Sequence, residues 1–217
     1  AILALSEALF QDLGDNRTLH PYLQHIRTQV NRLSSLMRDL LDLGRPVRDS
    51  ELRPMAVEAL LVSAINQWEL TGSGTRIFLR LINLPHPSQY QVRVDPAKMQ
   101  QVFTNLFENA ADHSPSGGEV CVCVLDPEHG RIRIQVSDPG AGILPENLPR
   151  IFEPFFSTRK GGTGLGLNII RHILDAHGGD IAVCINTPPP GATAEIRLPL
   201  SPPPGTAEAA AIRRNTP

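Results

Sequence analysis

A chain of 217 residues with 41% hydrophobic content can bury the core of one large domain or two small ones. The formal charge of −2 and the lack of a concentrated basic stretch give no reason to expect nucleic-acid binding, and no apolar run nears the ~20 residues that a membrane span needs. Three cysteines are too few for a disulfide framework; Cys121 and Cys123 alternate along one predicted strand and read as buried, inert thiols of a reducing cytosol.

Residues 1 to about 44 are predicted to be helical, with a break at Gly14-Asp15-Asn16. After the break, Leu19, Leu23, Ile26, Val30, Leu33, Met37 and Leu40 recur at alternating spacings of four and three, an a/d seam. Ile2, Leu5 and Leu9 offer a similar stripe before it. A helical hairpin with two such seams cannot bury both alone. Homodimerisation through residues 1–43 into a four-helix bundle is therefore expected, the alternative being a hairpin packed on its own partner domain. Gly44-Arg45-Pro46 ends the helix and makes a linker, so the first domain is placed at 1–45. Ala1 enters a helical pattern with neither an initiator Met nor a signal peptide, and a fragment is expected.

From about Leu52 the pattern is mixed, and a second domain is placed at 46–200. Strands are predicted at 52–57, 76–83 and 90–94, a helix at 58–70 with Trp68 in the core, and a long helix from Pro96 to about His113. Val120–Leu125 and Arg131–Val136 alternate on either side of a turn at Asp126–Gly130, a hairpin. The stretch 144–162, with Pro145, Pro149 and Pro154, reads as a mobile lid. A helix over Leu167–His177 and strands at 180–186 and 193–198 complete a mixed sheet with helices on one face, an α/β sandwich. The tail 201–217, with Pro202, Pro203 and Pro204, is predicted to be disordered. His86, His129, His172 and His177 lack metal-ligand spacing and read as surface or capping residues.

Chemistry concentrates in four blocks. In Asn105-Leu-Phe-Glu-Asn-Ala-Ala-Asp-His-Ser-Pro115, Asn105 and Asn109 sit four apart and project from one helix face. Neutral amides can ligate a hard cation and touch phosphate oxygens, and Mg2+ takes few protein ligands when phosphates and water fill its octahedron. In Val136-Ser-Asp-Pro-Gly-Ala-Gly-Ile143, Asp138 ends a strand where its carboxylate can accept from an adenine amine, while Gly140 and Gly142 admit close backbone approach. The aromatic block Ile151-Phe-Glu-Pro-Phe-Phe-Ser-Thr158 leads through Arg159 and Lys160 into Gly161-Gly-Thr-Gly-Leu-Gly-Leu167. That glycine run opens a helix and can present free N–H groups to an anion. It is neither a Walker loop nor a dinucleotide fingerprint, because Leu167 stands where Lys or the third glycine would be required.

These blocks, in this order, resemble the kinase core of two-component sensor histidine kinases. Asn105–Pro115 is similar to the family's N box, Asp138–Gly142 to its first glycine box, Phe152–Phe156 to its F box, Gly162–Leu167 to its second glycine box, and Gly191–Pro199 to its closing strand. Phe155-Phe-Ser-Thr158 most resembles the nitrogen-regulation type. The resemblance implies an α+β chain: a dimerisation hairpin, then an α/β sandwich ATP-binding domain of the gyrase/chaperone/histidine kinase type. It implies ATP and Mg2+ as cofactors, a response regulator receiver domain as partner, no nucleic acid or membrane contact within these residues, and a cytoplasmic location, with an inner-membrane anchor open for the parent protein.

The implied roles follow the matching positions. Asn109, with Asn105, would hold Mg2+; Asn105, Glu108 and Asn109 would form the catalytic group, Glu108 as an orienting residue. ATP would meet Asn105, Asn109, His113, Asp138, Gly140, Gly142, Ile143, Phe155, Arg159, Lys160, Gly162, Thr163, Gly164, Leu165, Gly166, Leu167 and Thr193. Thr193 would support Asp138 through water. Asp112 departs from the family, which often has a basic residue here, so one phosphate contact would pass to His113 or Lys160. Asn105 also stands where the related ATPases carry a Glu as base on water, which favours phosphotransfer over hydrolysis. The family's acceptor block is absent, since neither His20 nor His25 has the accompanying acid and proline, and the acceptor is expected upstream. The alternatives are an ATPase of the same fold and a non-catalytic dimeric scaffold.

Overall fold

The computed structural model describes residues 20–43, 51–70, 77–86, 89–159, 162–187 and 190–201. They form helices α1 (His20–Leu43), α2 (Val57–Leu70), α3 (Pro96–His113) and α4 (Gly166–Ala176). The strands are β1 (Arg53–Ala56), β2 (Ile77–Ile82), β3 (Gln91–Val94), β4 (Gly118–Glu128), β5 (Arg131–Asp138), β6 (Asp180–Ile185) and β7 (Ala192–Pro199). The chain divides into two compact units, one with α1 and Glu153–Leu165, the other with Pro46–Phe152 and Gly166 onward.

In the first unit, α1 carries the predicted seam. Leu23 is buried, while Ile26, Leu33 and Met37 of the same stripe are exposed, as is Tyr22. The partner helix of the hairpin, its break at Gly14–Asn16, and the tail beyond Ser201 lie outside the described residues.

The second unit is a mixed sheet under three helices. Its five strands run in the order β2-β4-β5-β7-β6, β2 parallel to β4 and the rest antiparallel, beside a two-stranded sheet of β1 and β3. Period-two alternation decides the layering. Val120, Val122 and Val124 of β4 and Ile132, Ile134 and Val136 of β5 face inward and are buried with Ile196 and Leu198 of β7. Against them lies the apolar stripe of α3: Met99, Val102, Phe103, Leu106, Phe107 and Ala110. Trp68 of α2 is buried, its ring 5.8 Å from that of Phe107 and edge-on.

Local capping explains where α3 begins. Asp95 follows β3, and its carboxylate accepts from the N–H groups of Ala97 (2.9 Å) and Lys98 (3.3 Å), with Pro96 at the first helical position. The Asp95 N–H donates to Nε2 of His177 at 3.0 Å, and Nδ1 of His177 bonds the Ile173 carbonyl at 2.7 Å. His177 is thus a buried strut between α4 and the start of α3, not a surface residue.

The thiols correct the sequence reading. Because the valines of β4 take the helix-covered face, Cys121 and Cys123 fall on the opposite face and are only half-buried; Cys184 on β6 is exposed.

That open face carries an ionic network centred on Glu195, which is buried. It accepts from Arg133 at 3.0 Å, Gln135 at 2.8 Å and Arg197 at 2.8 Å, and Arg197 and Arg131 both reach Asp180. Burial by itself pushes the Glu195 carboxyl up, but the hydrogen bonds from Arg133, Gln135 and Arg197 outweigh it and hold it at about 2. A depressed carboxyl adds stability that is full above its unfolded value, near 4.5, and is lost as the pH falls through about 2. Glu195→Gln is therefore expected to lower the melting temperature at pH 7 and to flatten the loss of stability between about pH 4.5 and 2. Melting curves across that range check this; an unchanged acid limb would show that Glu195 contributes nothing.

Candidate nucleotide site

Asn105 and Asn109 flank the apolar stripe of α3 on one side, an outcome of its 3.6-residue period. Glu108 points to the exposed side. Asn105 Nδ2 is buried without a hydrogen-bond partner among the described residues. An orphaned amide donor of this kind fits a ligand oxygen. The Asn109 amide faces the start of α4, because a Cβ built on Gly166 would lie 3.8 Å from its Nδ2 and 3.9 Å from its Oδ1.

The end of β5 approaches the same corner. Asp138 Oδ1 accepts from the Gly140 N–H at 2.9 Å, closing a tight turn. Gly140 abuts the last turn of α3 so closely that a Cβ there would sit 2.5 Å from the His113 carbonyl oxygen, so only glycine fits. His113 Nδ1 in turn bonds the Asn109 carbonyl at 2.8 Å. Burial raises the Asp138 carboxyl above its ordinary value, with the Gly140 N–H, His113 and the Ala192 N–H pulling the other way.

Behind Asp138 lies a support that the sequence did not reveal. Asn186 Nδ2 donates to the Asp138 carbonyl at 3.0 Å, and Asn186 Oδ1 accepts from Thr193 Oγ1 at 2.6 Å. Thr193 also shares a 2.6 Å hydrogen bond with Ser137 Oγ across the β5–β7 ladder. Thr193 therefore reaches Asp138 through Asn186. Asn186 follows β6, and its partner is set by the register of β7, which no local pattern reports.

Of the expected residues, Asn109, His113, Asp138, Gly140 and Gly166 converge at this corner, Gly142 and Ile143 continue the turn, and Asn105 and Leu167 lie one helical step away on α3 and α4. Helix α4 starts at Gly166 with no acidic residue in its first turn, leaving its N–H groups to an anion. Phe155, Arg159, Gly162, Thr163, Gly164 and Leu165 belong to the other unit. There the Phe155 N–H donates to the Gly164 carbonyl at 2.9 Å, the exposed Phe155 has φ +66°, and Gly164 has φ +68°. A Cβ on Gly164 would run into the Phe155 carbonyl carbon. Thr163 Oγ1 accepts from Leu165 N–H at 3.3 Å, and Arg159 N–H donates to Ser157 Oγ at 3.2 Å. Lys160 lies outside the described residues.

Among the described residues no three His, Cys, Asp or Glu side chains gather as a metal cage. A cation at this corner would rest on amide oxygens, phosphate and water, the donor set that suits Mg2+.

Residues 94–202, half of the chain, match the family described as histidine kinase-, DNA gyrase B- and HSP90-like ATPase. The chain belongs to this family. Within it the likeness is to sensor histidine kinases. The sensor histidine kinase ZraS of Klebsiella oxytoca is 31% identical over 173 residues, covering 80% of this chain and 37% of ZraS. This histidine kinase-like ATPase chain spans at most about half the length of the first curated relatives it matches. Full-length ShkA in complex with AMPPNP superposes with a TM-score of 0.69 at 25% identity, over 92% of this chain and 42% of that one. Histidine kinase ThkA in complex with the response regulator TrrA shares the fold, with a TM-score of 0.67 at 22% identity over 92% and 58% of the chains. Among the described residues no helix is long and apolar enough to cross a membrane.

Proposed function

We propose that this chain is the ATP-binding and phosphotransfer core of a sensor histidine kinase, passing the γ-phosphoryl of Mg-ATP to a histidine for relay to a response regulator. The observation that carries the reading is the convergence of the Asn109 amide, the N-terminus of α4 and the Asp138–Gly140 turn. Asp138 takes the adenine amine, Asn186 and Thr193 hold its backbone in place, and the N–H groups from Gly166 onward meet phosphate. Asn109 Oδ1, with Asn105, would hold Mg2+, which when bound neutralises charge developing on the transferred group. The orphaned Asn105 Nδ2 supplies a donor to a phosphate oxygen. Glu108, exposed on α3 beside that face, orients this group and is no base on water.

Asn105 cannot deprotonate water at neutral pH, which supports transfer over hydrolysis. The AMPPNP-bound neighbour supports ATP as donor, and the regulator-bound neighbour of the same fold supports a receiver domain as partner. The Phe155–Thr158 stretch supports the nitrogen-regulation subfamily. The test is radiolabelled Mg-ATP given to this chain alone and then with a separate hairpin bearing the family's acceptor block. Label should reach the hairpin and not His20 or His25, which lack that block. Phosphate release without label on the hairpin would instead establish an ATPase, and no nucleotide binding would leave a scaffold.

Homodimerisation rests on α1. The exposed row Ile26, Leu33 and Met37 calls for an apolar partner, and a second copy provides an identical one. Val30→Glu, on the same stripe, would bury an unpaired charge and should convert dimers to monomers with the ATP-binding unit still folded. Light scattering decides this, and a parent chain that is monomeric at high concentration overturns it.

A further inference from the structure

The peptide that follows Asp138 can be held in only one way. Pro139 comes next in the chain and has no N–H, so the 138–139 peptide can be fastened only through its carbonyl oxygen. Asn186 Nδ2 supplies that fastening at 3.0 Å. Asn186 is itself fixed on two sides: its N–H donates to the Gly191 carbonyl at 3.0 Å, and its Oδ1 accepts from Thr193 Oγ1 at 2.6 Å. The bond from Thr193 orients the amide and leaves its NH2 group toward Asp138. Gly191 makes room for this contact. Its φ is +118°, and a Cβ there would run into both the Asp138 carbonyl oxygen and the Asn186 amide. All of this sits at the last rung of the β5–β7 ladder, where Asp138 pairs with Ala192. The carboxylate of the same residue is tied by the Gly140 N–H at 2.9 Å. Asp138 is thus held at main chain and side chain together, and Asn186 holds its carbonyl.

We propose that Asn186 is a positioning residue that sets the selectivity of this site for a purine bearing an exocyclic amine, an inference that rests on the adenine reading of Asp138 above. A carboxylate selects a donor well only where its direction is fixed before the base arrives. One free to swing can also turn away from a base that presents an oxygen instead, and discrimination is lost. With the carbonyl pinned, the 138–139 peptide plane cannot rotate, and the carboxylate direction follows the main chain. Release of the carbonyl would let that plane turn, so binding the amine would carry an added ordering cost. A base with a carbonyl oxygen in place of the amine makes no such bond and would not feel the loss. Asn186 therefore acts on the choice of base and leaves the hold on phosphate alone.

The experiment is calorimetric titration of the chain and its Asn186→Ala and Asn186→Asp variants with Mg-ATP and separately with Mg-ITP, which carries the same triphosphate and a carbonyl oxygen in place of the amine. Asn186→Ala should bind ATP about three- to tenfold more weakly, the size expected for one lost hydrogen bond. ITP affinity should stay within about twofold of the parent, so the ratio of the two affinities falls. Asn186→Asp keeps the oxygen that accepts from Thr193 and loses the NH2 group. It should reproduce the fall in that ratio at nearly unchanged side-chain shape, which assigns the effect to the donor on the Asp138 carbonyl. A merely structural support would lower both nucleotides alike. Unchanged ATP affinity in either variant overturns the proposal, and so does an equal loss of ATP and ITP in both. A parent chain that binds ITP as tightly as ATP overturns the adenine assignment of Asp138. One that binds neither overturns the nucleotide reading itself, and in both cases this inference falls with it.

Discussion

Asn109→Ala is expected to cut phosphoryl transfer to a supplied acceptor hairpin by at least about a hundredfold, with ATP affinity changed far less. The difference follows from what the amide faces. Asn109 points at the first residue of α4, between the helix that presents it and the helix whose N–H groups would meet phosphate. A cation held by Asn109 would supply neutralisation of the charge that builds as the phosphoryl group is transferred. Its loss therefore raises the barrier more than it weakens the ground state. The helix should survive the change, since Ala is a better helix former than Asn and Asn109 lies outside the buried stripe of α3. Transfer measured with radiolabelled ATP, beside ATP affinity by calorimetry, separates the two effects. Transfer that persists in Asn109→Ala would remove Asn109 from the metal site.

Asp138→Asn should weaken ATP binding about ten- to hundredfold, the worth of one charge-assisted hydrogen bond, and narrow the preference for ATP over GTP. An Asn at 138 can still accept from the Gly140 N–H through its oxygen. What it then turns toward the base is an NH2 group, a donor against a donor. The parent should also lose ATP affinity on acidification at a higher pH than an ordinary carboxylate would dictate, because burial raises the Asp138 carboxyl and only its ionised form is a full acceptor. That dependence should vanish in Asp138→Asn. Unchanged affinity in the variant would sink the adenine assignment.

Much of this was legible in the chain. The 3.6-residue stripe of α3 predicted both its extent, 96 to 113, and the shared face of Asn105 and Asn109, and observed bounds agree. The β4–β5 hairpin followed from alternation around a turn containing Gly130, although β4 runs on to Glu128 before turning. Strand ends were less legible. The strand expected at 52–57 yields Val57 to α2, whose N–H there bonds the Tyr90 carbonyl at 3.1 Å, a partner 33 positions away in the sequence. The helix expected from Leu167 to His177 stops at Ala176, because His177 is held as a buried strut against Asp95.

The sequence by itself determined the kind of site: two amides on one helical face, a carboxylate at a strand's end, glycines where backbones must meet, and no carboxylate base at position 105. Those are properties of residue type and short-range period, which act within a turn or two of chain. The tertiary structure alone decided which face of the sheet is covered, and so that Cys121 and Cys123 look outward and that Glu195 sits under Arg133 and Arg197. It also decided that Asn186 braces Asp138. Each of these depends on strand register or helix placement between residues far apart in sequence. Such pairings are chosen by burial of the whole apolar face, a quantity no local stretch of sequence contains.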